Sequence, residues 1–259
     1  MVTTRTPDGA TIEHATLGAG PALVLVHGIT EQRAAWGGLA EAFAAQGYAV
    51  TALDLRGHGA SSRTAPYDLA TLAADLGAVL AELRTADALL VGHSLGGAVV
   101  SAYAAAGPCR AVVNVDQPLR LAGFQDALRQ VEPLLRGTND EFQAAIAAIF
   151  GAMAGPLAGS ERERIDAARR AEQDVVLGVW DAVLTSSAEE LDALVDGVVG
   201  AIDVPYLALH GIDPGPEYGQ WLTSKLPAAS YEVWPDLGHY PHLIEPARFV
   251  ERVVAFDRP

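Results

Sequence analysis

Ala88-Leu89-Leu90-Val91-Gly92-His93-Ser94-Leu95-Gly96-Gly97-Ala98 passes from an apolar run into a glycine-flanked serine and on into an alanine-rich segment. The run Ala88–Val91 has the length and uniform apolarity of a buried strand, and Leu95–Ala106 has the spacing of a helix. A serine on so sharp a strand-to-helix turn sits in a strained conformation that neighbouring side chains would obstruct, so small residues are needed two positions to either side. Gly92 and Gly96 supply them. The turn would hold the Ser94 hydroxyl above a sheet as a nucleophile, with the Leu95 amide at a helix N-terminus free to bind a developing oxyanion. The competing reading is a glycine-rich turn whose serine only caps the helix.

Outward from this turn the same alternation repeats. Ala22–Val26, Ala49–Leu53, Ala111–Val115 and Tyr206–Leu209 are short, continuously apolar runs, the pattern of strands buried on both faces of a mostly parallel sheet. Ala34–Gln46 and Leu69–Leu83 are helical in spacing, so the class is α/β. Between Gln117 and Asp203 the rhythm breaks into helix-like segments only, near Phe124–Leu135, Asp140–Ala154, Glu161–Trp180 and Ala188–Val198. That stretch is too long for a loop and is expected to form a helical cap over the sheet. The rhythm then resumes, with a helix at Glu217–Leu226, an extended segment at Tyr231–Trp234 and a helix at Pro246–Phe256.

Two further turns carry chemistry. His27-Gly28-Ile29 follows the first apolar run, where the Ile29 amide is a candidate second oxyanion donor, and Asp54–Gly59 follows the next. Taken together, His27-Gly28, Asp54–Ser61, Gly92–Gly97, Asp213-Pro214 and Gly238-His239 resemble the α/β-hydrolase superfamily, in particular its lidded, esterase-like members. The resemblance spans nearly the whole chain except the cap. It implies a mostly parallel eight-stranded sheet flanked by helices, with the cap inserted after the sixth strand. Residues 1–116 and 204–259 would form the core and 117–203 the cap. It also implies a triad in the chain order serine, acid, histidine, and acyl transfer to water.

On that resemblance His239, between the last extended segment and the last helix, is the expected base; the glycine before it favours it over His242. Asp213 is the expected acid, although its turn is one residue shorter than usual between the glycine and the acid. Asp116, at the end of the Ala111–Val115 run, is the alternative, a position that some members use. Asp75, Asp203 and Glu245 read as solvated or capping carboxylates. The histidines are scattered over separate turns without metal-ligand spacing, and no phosphate loop followed by lysine occurs, so no metal or cofactor is expected. Phe124, Phe142, Ile146, Phe150, Met153, Leu177 and Trp180 are candidates for lining the acyl pocket or, equally, for packing the cap onto the core.

Composition sets the outer limits. Of the 259 residues half are hydrophobic and 19% charged, enough apolar side chain for a sizeable core. A formal net charge of −15 repels phosphate backbones and anionic headgroups, so neither nucleic acid nor membrane is an expected partner. The single cysteine, Cys109, has no disulfide partner within the chain, and the first nine residues contain no apolar run, from which a cytoplasmic location is expected. The reading is a serine esterase acting on a small, neutral, moderately hydrophobic molecule. A lactonase, a C–C bond hydrolase, a perhydrolase or a non-catalytic receptor would carry the same residues.

Overall fold

The computed structural model describes residues 1–258. Eight strands form one sheet: β1 (Val2–Arg5), β2 (Thr11–Gly18), β3 (Ala22–Val26), β4 (Ala49–Leu53), β5 (Leu89–His93), β6 (Ala111–Val115), β7 (Tyr206–His210) and β8 (Ala229–Val233). Their spatial order is β1-β2-β4-β3-β5-β6-β7-β8. β1 and β2 pair antiparallel with their neighbours, and every pairing from β4 to β8 is parallel. The five apolar runs of the sequence become the central strands, and β5, β6 and β7 are buried at every residue. Helices on both faces account for that burial, since a parallel sheet needs crossover connections that cover it.

Around the sheet lie α1 (Leu39–Ala45), α2 (Leu69–Glu82), α3 (Leu95–Ala104), α9 (Tyr218–Lys225), α10 (Pro241–Ile244) and α11 (Pro246–Asp257). Between β6 and β7 run five consecutive helices, α4 (Ala122–Leu135), α5 (Asn139–Met153), α6 (Gly159–Ala168), α7 (Gln173–Thr185) and α8 (Ala188–Gly200). Among the described residues no helix is long and apolar enough to cross a membrane.

Two expectations need correction, and one element, the antiparallel hairpin β1–β2, had no reading in the sequence. The segment Glu161–Trp180 is not one helix: it breaks after Ala168, where Arg169 takes an extended conformation. That break is tertiary in origin, because the Arg170 amide donates to the Thr30 carbonyl at 2.7 Å and Arg169 Nη1 to the Thr30 hydroxyl at 3.1 Å, tying the α6–α7 junction to the turn after β3. Asp75 is not solvated either. It is buried against Arg56, whose Nε and Nη2 each donate to it at 2.7 Å, and Arg56 Nη1 also reaches Asp8 at 2.6 Å.

Candidate active site

Ser94 is the residue at which β5 becomes α3. Its backbone lies at φ 51°, ψ −125°, a left-handed region that L-residues rarely occupy and that persists only where the surroundings enforce it. Here the enforcement is close packing. A Cβ on Gly96 would fall 2.0 Å from the Val26 carbonyl oxygen, and one on Gly92 would fall 2.1 Å from that of Gly96. Only glycine lets the turn fold back against β3. The Ser94 amide donates to Val115 and its carbonyl accepts from Gly97 at 2.7 Å, which leaves Leu95 at the first helical position with no acceptor, as a helix N-terminus does.

The turn after β3 abuts this serine. A Cβ on Gly28 would lie 3.2 Å from the Ser94 Cβ and 3.2 Å from His93 Nδ1. His27 pins the turn from below, with Nδ1 on the Gly28 carbonyl at 2.7 Å and Nε2 accepting from the Leu55 amide at 3.0 Å. Ile29 follows, buried, and its amide has no acceptor among the described residues. The Leu95 amide thus lies in the nucleophile turn, and Ile29 follows the glycine that packs against Ser94.

His239 lies in the loop before α10, 3% exposed in side-chain area. Its backbone amide donates to the Met153 carbonyl at 2.9 Å, so the end of α5 holds this loop directly. Gly155 and Gly238 touch there, and a Cβ on either would fall within 2.8 Å of the other's Cα. On the imidazole, Nδ1 lies 2.6 Å from Asp116 Oδ2. A carboxylate only accepts, so Nδ1 carries the hydrogen and Nε2 keeps its lone pair. Nε2 is buried with no hydrogen-bond partner, and Ser94 Oγ likewise has none among the described residues.

The acid paired with this histidine is therefore Asp116, not the expected Asp213. Asp116 leaves β6 at φ 52°, which turns its carboxylate toward the ends of β6 and β7. Oδ1 accepts the Gly211 and Ile212 amides at 2.7 and 3.0 Å, while Oδ2 takes His239. Because the first two amides of the turn after β7 point at Asp116, the next residue faces outward. Asp213 is exposed and accepts its own Gly215 amide at 2.9 Å. The missing residue in that turn was the signal available in the sequence.

Electrostatics follow this geometry. Burial alone would raise the Asp116 pKa, but the His239 bond and the backbone amides outweigh it, holding the group below the ordinary aspartate value and ionised. Burial lowers the His239 pKa below 6.5, only partly offset by the bond from Asp116, and nearby His93 lowers it further. The ring is neutral at physiological pH.

Glu31, His93, Tyr240 and Arg169, to which the sequence reading gave no part in the site, gather beside the base. Arg169 Nη2 donates to the Tyr240 hydroxyl at 2.8 Å, and its guanidinium stacks 4.0 Å from the Phe150 ring centre. Of the proposed pocket residues, Phe142, Ile146, Phe150 and Trp180 are buried in one apolar cluster with Ile29 and Leu95, while Phe124 and Leu177 pack at its margin.

A family model described as the alpha/beta hydrolase fold matches residues 21–213. The chain is similar to a non-heme haloperoxidase of Rhodococcus erythropolis, 28% identical over 256 residues with 90% of each chain covered. It is also similar to a non-heme chloroperoxidase of Streptomyces lividans, 30% identical over 236 residues with 82% of each covered. Among solved structures, an esterase from Rhodococcus sp. ECU1013 superposes with a TM-score of 0.76 at 27% identity, covering 99% of this chain and 98% of that one.

Proposed function

The chain belongs to the α/β-hydrolase fold family, a hydrolase architecture, and from that premise we propose that it is a serine esterase in which Ser94, His239 and Asp116 act as nucleophile, base and acid. The observation that carries this reading is the 2.6 Å contact from Asp116 to His239 Nδ1, with Nε2 left unpaired and the ring 4.6 Å from that of His93, the residue before the elbow serine. His239 Nε2 takes the Ser94 proton as Oγ attacks the ester carbonyl. The Ile29 and Leu95 amides stabilise the tetrahedral oxyanion, and Asp116 holds the imidazole tautomer and stabilises the imidazolium. The imidazolium then protonates the departing alcohol. Water, deprotonated by the same imidazole, hydrolyses the acyl-enzyme and restores the Ser94 hydroxyl. Serine and histidine are not hydrogen-bonded in this structure, a separation that tightens when substrate binds.

A small, neutral, moderately hydrophobic ester suits the site. Phe142, Ile146 and Phe150 of α5 and Trp180 of α7 pack in the same core as Ile29 and Leu95, and the net charge of −15 disfavours anionic substrates at long range. The two haloperoxidase relatives favour a second reading on the same residues, in which hydrogen peroxide replaces water and the acyl-enzyme is released as a peracid. Hydrolysis of p-nitrophenyl esters from acetate to octanoate, with and without peroxide, tests both. Ester turnover that vanishes in Ser94→Ala is expected. Turnover that survives the substitution overturns the proposal, and peracid formation outpacing hydrolysis selects the second reading.

A further inference from the structure

Glu31 is a carboxylate only 4% exposed, three residues past the glycine of the oxyanion turn. Burying a carboxylate without partners is costly, so its contacts identify what it serves. Oε2 accepts the Gly28 amide at 3.2 Å and lies 3.4 Å from His93 Nδ1. Oε1 accepts the Tyr240 hydroxyl at 2.9 Å. On the far side of the His93 ring, Nε2 donates to the His239 carbonyl at 2.8 Å. Polar contacts thus run from the amide of the oxyanion turn to Glu31, which faces the His93 ring, and from the far side of that ring to the backbone of the base. Tyr240, the residue after the base, joins Glu31 from the other side.

We infer that Glu31 and His93 are positioning residues, a buried brace that sets the distance between the oxyanion amides and the general base. This deepens the serine hydrolase reading and rests on it. The three parts it joins come from elements far apart in sequence: the turn after β3, the residue preceding Ser94 on β5, and the loop before α10. No backbone ladder connects the turn after β3 to that loop; His93 packs against both, and Tyr240 of the loop reaches Glu31 directly. Core packing alone would be met by apolar side chains of similar size, and it would not need a carboxylate that simultaneously accepts a backbone amide and a tyrosine hydroxyl. Burial alone would raise the Glu31 pKa, but the facing His93, with Arg169 and His27 beyond it, more than offsets this and keeps the carboxylate charged. A fixed charge gives the brace direction, since it holds donors from both sides at once.

The brace predicts an effect on rate rather than on binding. Misplacing catalytic groups by an ångström or less costs up to about a hundredfold in turnover. The test compares wild type, Glu31→Gln, His93→Gln and Tyr240→Phe for reaction with a fluorophosphonate at Ser94 and for kcat and KM on p-nitrophenyl butyrate, with thermal melts alongside. Glu31→Gln keeps size and one acceptor but removes the charge; it should lower kcat and the labelling rate by about tenfold or more. KM should move little, and Glu31→Asp should recover part of the loss. Tyr240→Phe should give a smaller loss in the same direction, and it decides the matter if the charge-removing variant does not fold. Folded variants that keep kcat and the labelling rate within about twofold would overturn the brace. If wild type itself fails to react at Ser94, the hydrolase reading fails and the brace with it, whereas a reactive wild type with unaffected variants defeats the brace alone.

Discussion

The carboxylate of Asp116 lies 2.6 Å from Nδ1 of His239, bridging 123 residues of sequence and the five helices that separate β6 from β7. Both Asp116 oxygens are occupied, one by His239 and one by the Gly211 and Ile212 amides. Asp116→Asn retains acceptor capacity for the amides but presents the imidazole with a group that can hold the wrong tautomer and cannot stabilise its charged form. Ester turnover should fall by about 10³- to 10⁴-fold. Asp213→Asn keeps the local turn, because an asparagine oxygen also accepts the Gly215 amide, and turnover should be nearly unchanged. Steady-state kinetics on both variants checks this, and a reversed order in folded proteins would reinstate Asp213.

Burial lowers the pKa of His239 below 6.5 despite Asp116, so the base stays neutral into mildly acidic solution. The acid limb of kcat/KM, which reports the free enzyme, should therefore have its midpoint below 6.5 and vanish in His239→Gln. A midpoint above 7 would contradict the burial of this ring.

Stability should also depend on pH. His58 and His210 are buried without a carboxylate hydrogen bond, and burial depresses them to about 3 and about 4. Below 6.5 the unfolded chain takes up protons that the folded chain refuses, so unfolding free energy falls as the solution is acidified, by up to about 1.4 kcal/mol per pH unit for each. Between pH 7 and pH 5 few carboxylates titrate, so the histidines set the slope. Urea unfolding followed by circular dichroism should show the midpoint dropping across that interval, and a flat response would mean that these rings accept protons while folded.

Gly155 touches Gly238 beside the His239 amide, which donates to Met153. Gly155→Ala places a methyl within 2.8 Å of the Gly238 Cα, at a residue whose φ of +59° already disfavours a side chain. The base loop should shift, and kcat should fall several-fold while the melting temperature drops only slightly, because Gly155 is exposed. Unchanged kcat would show that the α5–α6 junction and the base loop move independently.

What was legible in the chain, and what was not, follows from how local each feature is. The central strands β3 to β7 announced themselves as continuous apolar runs because both faces of the sheet are covered. The elbow was legible because its glycines answer to contacts within a few residues of Ser94 and one strand away. The hairpin β1–β2 was missed although Ile12 and His14 alternate with more exposed neighbours, since the period-two signal is short and interrupted by polar residues. The break between α6 and α7 carries neither proline nor glycine at residues 169–172 and arises from contacts with Thr30, more than a hundred residues earlier. The choice between Asp116 and Asp213 was only half legible: the missing residue in the turn after β7 counted against Asp213, but the left-handed backbone angle that turns Asp116 toward His239 is not encoded in spacing along the chain.

The most direct measurement of the central claim is covalent capture of the nucleophile. Wild type, Ser94→Ala and Asp116→Asn are treated with a fluorophosphonate, followed by intact mass and peptide mapping. The arrangement at the elbow calls for one adduct per wild-type chain, located on Ser94, none on Ser94→Ala, and labelling of Asp116→Asn slowed by orders of magnitude. An adduct on any other residue, or equal labelling of wild type and Ser94→Ala, would contradict it.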